Sequence, residues 1–212
     1  MTSHSLKPED QEAILLATLA HVPFEGWTME AVKQGCREAG FAPELAYWVF
    51  GGTILGIIDA FFLMTDEKML EKMKEHDLAS LRVRDRVALG VRVRLNFLTP
   101  HKAAVGKTLT YLAHPVRARE GLSFMARTMS EIWYAAGDDA TDFNYYSKRF
   151  LLAGVYMATL RYWLTDTSEN YTKTEDFLQA RLDQVLQIPK IKNQIKEALC
   201  SVGQRFRQGI KP

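Results

Sequence analysis

The chain has 212 residues, 47% of them hydrophobic and 25% charged, with a net charge of +2. That is ordinary for a globular protein and supplies a sizeable core for one domain, or for a small module plus a larger one. Its two cysteines, Cys36 and Cys200, stand far apart and form no C-x-x-C pair, which excludes a disulfide framework and points to a reducing compartment.

Apolar periodicity predicts an almost wholly helical chain. The expected helices cover about 8–21, 28–39, 43–50, 53–76, 80–98, 102–112, 118–136, 143–166, 174–187 and 190–209. The N-terminal MTSHSLKPED carries no apolar signal core and no Arg/Ser-rich transit pattern. The longest apolar run, TILGIIDAFFLM at 53–64, is too short to span a bilayer and contains Asp59. The expected location is therefore cytoplasmic. In 81–95 a strand-like alternation competes with a helical face of Val83, Val87, Val91, Leu95 and Leu98, and the helical surroundings favour the helix. A second stripe joins Leu122, Met125, Met129, Ile132 and Trp133. Such stripes suit ordinary core packing or the adaptable wall of an apolar cavity.

Enzyme signatures are weak. Ala104-Val105-Gly106-Lys107-Thr108 has the ending of a phosphate-binding loop, but His101 stands where that loop needs a glycine, and no strand precedes it. The five histidines form no metal-binding spacing, and there is no G-x-S-x-G. No metal, cofactor or catalysis is expected.

From Trp133 to Arg149 the chain reads WYAAGDDATDFNYYSKR. A helix is expected to end at Gly137 and another to begin at Asp142 as N-cap. This concentration of aromatics suits either a core corner or a set of anchors. On the second helix Tyr145, Arg149, Leu152 and Tyr156 share a face. Arg149 could hold a lipid phosphate in bidentate fashion or pair with Asp138, Asp139 or Asp142.

Around and after Pro189, the residues Ile188, Ile191, Ile195, Leu199, Val202, Phe206 and Ile210 form one apolar stripe. Residues 190–212 hold six basic residues and one acid, so the rest of the chain is slightly acidic. This helix either packs on protein or lies on anionic lipid through Ile191, Ile195, Leu199, Val202 and Phe206, with Lys192, Lys196 and Arg205 on the polar side.

Two resemblances follow. The order ILLATLAHV, PFEGW, a Thr28-capped helix, AGF and PELAYWVF up to Gly51-Gly52 resembles the helix-turn-helix half of TetR-family regulators. A DNA reader needs cations on its recognition helix. From Phe41 to Glu67 there is no Lys or Arg, and Glu44 sits within that helix. The layout is expected without nucleic-acid binding, and a regulator with a hydrophobic ligand is the rival reading.

The stretch WYAAGDDATDFNYYSKRFLLAGVY resembles the signature of the COQ9 family of ubiquinone-biosynthesis accessory proteins. That resemblance implies an all-α, TetR-like fold in three parts: a helix-turn-helix-like module (1–52), a helical lipid-binding domain (53–189) and a membrane-associating amphipathic helix (190–212). It further implies a non-catalytic protein that binds an isoprenoid quinone intermediate or a phospholipid and presents the quinone to the di-iron demethoxyubiquinone hydroxylase. Its expected lipid-binding residues are Tyr145, Arg149, Leu152 and Tyr156. The partner patch maps to Glu131, Ile132, Trp133, Asp142, Tyr145 and Tyr146, with Tyr145 standing where eukaryotic members carry tryptophan. By analogy with the fold a homodimer is expected. The missing transit region implies a bacterial version peripheral to the inner membrane.

Overall fold

The structure, a computed structural model, describes residues 6–138 and 143–185, with side chains in the second stretch from Tyr146 onward. The predicted N-cap Asp142 and the terminal helix 190–209 lie outside the described residues, as does the side chain of Tyr145. The chain divides into two compact units, Met1–Gly154 and Val155–Pro212. Among the described residues every regular element is helical.

Helix α1 (Pro8–Glu25) begins with Pro at its first position, where no N–H is needed, and Glu9 and Asp10 favour the positive end of its dipole. It runs beyond the predicted stop at 21 because Pro23 falls in the last turn, where the bond it cannot make to the Leu19 carbonyl is a small loss. Helix α2 (Met29–Glu38) is capped by Thr28, whose hydroxyl accepts from the Ala31 N–H at 3.2 Å. The two helices lie in close contact at Gly35, where a Cβ would meet the Thr18 hydroxyl and stand 2.7 Å from the Thr18 nitrogen.

The predicted helix 43–50 is instead a short 3-10 turn, Pro43–Tyr47, followed by turns into Gly51 and Gly52. Both glycines have positive φ, which stops any helical continuation. Thr53 then caps α3 (Ile54–Lys74), accepting from the Gly56 N–H at 3.0 Å.

Helices α4 (Val83–Leu98), α5 (Lys102–Leu112) and α6 (Ala118–Ala135) complete the larger unit together with the first half of α7 (Phe143–Thr165). Helix α3 packs on α4 and α6, and α1 packs on α2 and α5. The 81–95 stretch is helical, with Val87, Val91, Leu95 and Leu98 buried as expected. Val83 departs from the stripe because it sits in the first turn, beyond the neighbouring helices, and is 46% exposed. Leu122 likewise faces solvent, and the buried face of α6 is Phe124, Thr128, Met129 and Ile132.

The supposed phosphate-loop residues lie inside α5. Thr108 there is buried, donates to the Ala104 carbonyl at 2.8 Å and accepts from the Trp27 indole at 3.0 Å. That bond ties the N-terminal helices to α5, and Trp27 also contacts the Phe61 ring. At the centre of the unit Asp66 of α3, Arg94 of α4 and Thr128 of α6 meet. Arg94 donates to the Asp66 carboxylate, as does the Thr128 hydroxyl at 3.1 Å. Both ionic side chains are almost fully buried. Burial pushes the Asp66 carboxyl up, against the pull of the Arg94 guanidinium and the Thr128 hydroxyl.

The second unit contains the rest of α7 and a helix, α8, over 172–185. Tyr162 stacks on Phe177 with ring centroids 4.6 Å apart. The turn between the helices holds Asn170 and Tyr171 at positive φ. Asp166 binds that turn, accepting from the Ser168 N–H (2.8 Å), the Thr174 N–H (2.9 Å) and the Thr174 hydroxyl (2.6 Å). Burial works against its ionised form, but these bonds outweigh it and hold the carboxyl well below the ordinary range.

Candidate functional site

The most elaborate side-chain arrangement lies at the corner between α6 and α7. Helix α6 ends as the sequence predicts. Gly137 has φ +85°, its N–H bonds to the Tyr134 carbonyl at 3.0 Å, and the Asp138 N–H bonds to the Trp133 carbonyl at 3.0 Å. That pair of bonds is a Schellman motif, which a left-handed glycine makes possible. Arg86 of α4 reaches across to the same end. Its Nη1 donates to the Ala136 carbonyl at 3.1 Å and its Nε to the Leu81 carbonyl at 2.9 Å. A cation at a helix C-terminus satisfies orphan carbonyls and the negative end of the dipole together.

Asp138 is the hub of the corner. Its carboxylate accepts from Lys148 Nζ at 2.6 Å and from Arg149 Nη1 at 3.4 Å, while Arg149 Nε donates to the Ser130 hydroxyl at 3.2 Å. Lys148 also stands 5.4 Å from the centre of the Trp133 ring. The first turns of α7 are thus fastened to the end of α6 by charge-assisted bonds. Of the two readings open for Arg149, the structure realises the pairing with Asp138. A lipid phosphate would have to compete with that carboxylate.

The expected site residues occupy different environments. Glu131 and Trp133 are half-buried, Ile132 is fully buried, and Tyr146 is exposed. Ile132 therefore supports the corner from beneath. Leu152 and Tyr156 are buried, one in each unit. Two aromatics not singled out in the sequence are also exposed on these helices: Tyr134 is 78% exposed and Phe150 79% exposed. Phe150 sits one helical turn beyond Tyr146, a spacing that would have identified it.

A separate pocket of about 240 Å³ lies between α1 and the start of α5, lined by Leu16, Leu19, Ala20, Pro23, His101 and Ala104 among others. None of the expected lipid-site residues lines it. Burial pushes the His101 imidazole down, so it is neutral. No group of three or more His, Cys, Asp or Glu suited to a metal exists among the described residues. The Cys36 thiol is buried and pushed up by that burial, which makes it a poor nucleophile. No described helix is long and apolar enough to cross a membrane.

Comparison with known proteins bears out the resemblance read from the sequence. Residues 118–189, which include the whole corner, match the family model described as COQ9. The chain is similar to the probable ubiquinone biosynthesis protein coq9 of Dictyostelium discoideum, with 29% identity over 93% of this chain and 66% of that protein. It is similar to the ubiquinone biosynthesis protein COQ9 of Drosophila melanogaster (29% identity, 91% of this chain, 63% of that protein). It also matches that of Homo sapiens (28%, 94% and 64%). The chain therefore spans just under two thirds of the length of these relatives.

Among solved structures, a TetR transcriptional regulator from Nitrosomonas europaea matches with a TM-score of 0.67 and 18% identity, over 85% of this chain and 99% of that one. A putative TetR-family regulator from Rhodococcus sp. matches with a TM-score of 0.60 and 17% identity, over 84% and 98%. The fold is all-α and TetR-like, as the sequence predicts.

Proposed function

We propose that this protein is a non-catalytic, lipid-binding accessory factor of ubiquinone biosynthesis that docks the demethoxyubiquinone hydroxylase and presents a quinone intermediate to it. The observation that carries this reading is the α6–α7 corner. It lies inside the segment matching the COQ9 model and exposes Tyr134, Tyr146 and Phe150. Beneath them Asp138, Lys148, Arg149 and Arg86 fix the two helices. Rigid aromatics on a preorganised frame are what a protein-docking patch needs, because little entropy is lost on binding.

The rest of the mechanism is physical. An isoprenoid or phospholipid tail inserts among the apolar helices, with Leu152, Tyr156, Tyr145 and Arg149 along its path. The tail 190–212, through Ile191, Ile195, Leu199, Val202, Phe206, Lys192, Lys196 and Arg205, holds the protein against anionic lipid. The protein is a homodimer on the cytoplasmic side of a bacterial inner membrane. Nucleic acid is not a partner: Glu44 lies in the segment that would read DNA, and no Lys or Arg occurs from Phe41 to Glu67.

The test is co-purification. Tyr146→Asp places a charge in the exposed patch without touching the core, so hydroxylase retention should fall at least ten-fold while the helical circular dichroism is unchanged. Undiminished retention would remove the patch from the reading. Mass spectrometry of an organic extract should find a stoichiometric isoprenoid quinone or phospholipid, and an empty extract from folded protein would leave partner scaffolding alone.

A further inference from the structure

In the larger unit, where α5 turns into α6, exposed aliphatic side chains and cations stand close together in the sequence. A 3-10 turn, Pro115–Arg117, links the two helices. Val116 on it is 79% exposed, and Leu122, in the second turn of α6, is 71% exposed. Between Lys107 and Leu122 the charged residues are Lys107, Arg117, Arg119 and one acid, Glu120. Lys107 and Arg119 are exposed and form no ion pair among the described residues. The Arg117 guanidinium lies 3.9 Å from the centre of the Tyr111 ring and donates to the Tyr111 carbonyl, so its charge is held at the tip.

Among the described residues several exposed aromatics have a different setting. Trp48 follows Glu44 in a stretch without cations, Phe24 adjoins Glu25, and around Tyr146 the cations Lys148 and Arg149 are paired with Asp138. Exposed aliphatic side chains in a segment with unpaired cations match the boundary of an anionic bilayer. There the apolar groups enter the acyl region and the cations meet lipid phosphates.

We propose that the α5–α6 tip, with Val116 and Leu122 as insertion points and Lys107, Arg117 and Arg119 as the cationic rim, is a membrane-contact surface for anionic lipid. It acts independently of residues 190–212.

The test uses the full chain, with Cys200→Ser and Val116→Cys carrying an environment-sensitive dye. Cys36 is fully buried and does not compete for the label. With phosphatidylglycerol vesicles the dye should shift to the blue as the protein co-sediments, and with phosphatidylcholine vesicles it should not. In the unlabelled protein, Arg119→Gln should weaken vesicle partitioning about five-fold, and Leu122→Glu by more. Co-sedimentation with an unshifted dye would overturn the tip while leaving attachment through the tail intact. Failure to sediment with anionic vesicles at low salt would overturn both.

Discussion

Replacing Arg94 with methionine tests whether the buried Asp66–Arg94–Thr128 meeting point holds the larger unit together. The side chains of Arg94 and Asp66 are 3% and 5% exposed, so neither is relieved by water. Methionine follows much of arginine's path and leaves the Asp66 carboxylate with only the Thr128 hydroxyl as a described bond. Removing one partner of a buried pair costs about 3–5 kcal/mol. That is a large part of the roughly 5–15 kcal/mol that hold an ordinary domain folded.

The penalty has a pH signature. Burial already pushes the Asp66 carboxyl up, and losing the guanidinium pushes it further. A raised folded-state value means that protonation favours the fold. The stability this group contributes is complete below the unfolded value near 4 and is lost as pH rises through the folded value. Arg94→Met should therefore cost most at neutral pH and less near pH 4. Adding Asp66→Leu should recover most of the loss, because an apolar pair of similar volume is often as good as the ion pair. Urea unfolding followed at the helical circular dichroism band, for both single variants and the double variant, gives the coupling. A single variant within about 1 kcal/mol of the parent, or a double variant no better than Arg94→Met, would refute the reasoning.

Three further outcomes follow from local geometry. Gly35→Ala should destabilise the α1–α2 contact by about 1–3 kcal/mol, read as a lower urea midpoint, because the added methyl meets Thr18. Arg86→Met should strand the Ala136 and Leu81 carbonyls at a cost of about 1.5–3 kcal/mol, with faster amide exchange at Gly137 and Asp138 as the local sign. Asp166→Asn should remove an acid-sensitive part of the stability of the second unit. A depressed carboxyl stabilises above the ordinary carboxylate range and loses that contribution as pH falls through it. The difference between variant and parent in urea midpoint should therefore be large at pH 7 and shrink towards pH 3.

The helices were legible in the sequence because their signals are local: Thr28 as a cap, Gly137 as a stop, the apolar run of α3 and apolar stripes on α4 and α6. The TetR-like layout was legible from their order, and the COQ9 resemblance from one dense signature. The errors were geometric. Pro43 and the Gly51-Gly52 pair shortened the third helix to a 3-10 turn, and Val83 and Leu122, though on apolar stripes, are themselves exposed. The buried Asp66–Arg94 pair left no trace, since its partners are 28 residues apart and each reads as surface charge. At the corner, Arg149 could be named but not assigned, and Arg86 went unnoticed because the carbonyl it binds is 50 residues away.

The buried threonines carry a consequence for how the helices can move. Thr18, Thr65 and Thr108 each donate to the carbonyl four residues earlier in their own helix. Each hydroxyl therefore keeps an acceptor within α1, α3 or α5 whether or not a neighbouring helix stays in place, although the Thr18 hydroxyl faces Gly35 of α2 and the Thr108 hydroxyl also accepts from the Trp27 indole. Thr128 differs, since its hydroxyl crosses to Asp66, as the Thr174 hydroxyl in the second unit goes to Asp166. Shifting α3 against α4 and α6 would break the buried Asp66–Arg94 pair and the Asp59–Arg127 pair, whereas parting α5 from the N-terminal helices would break the neutral Trp27–Thr108 bond besides apolar contacts. The junction of α3, α4 and α6 is thus the part of the unit whose order ionic bonds keep, while its other seams rest more on apolar packing.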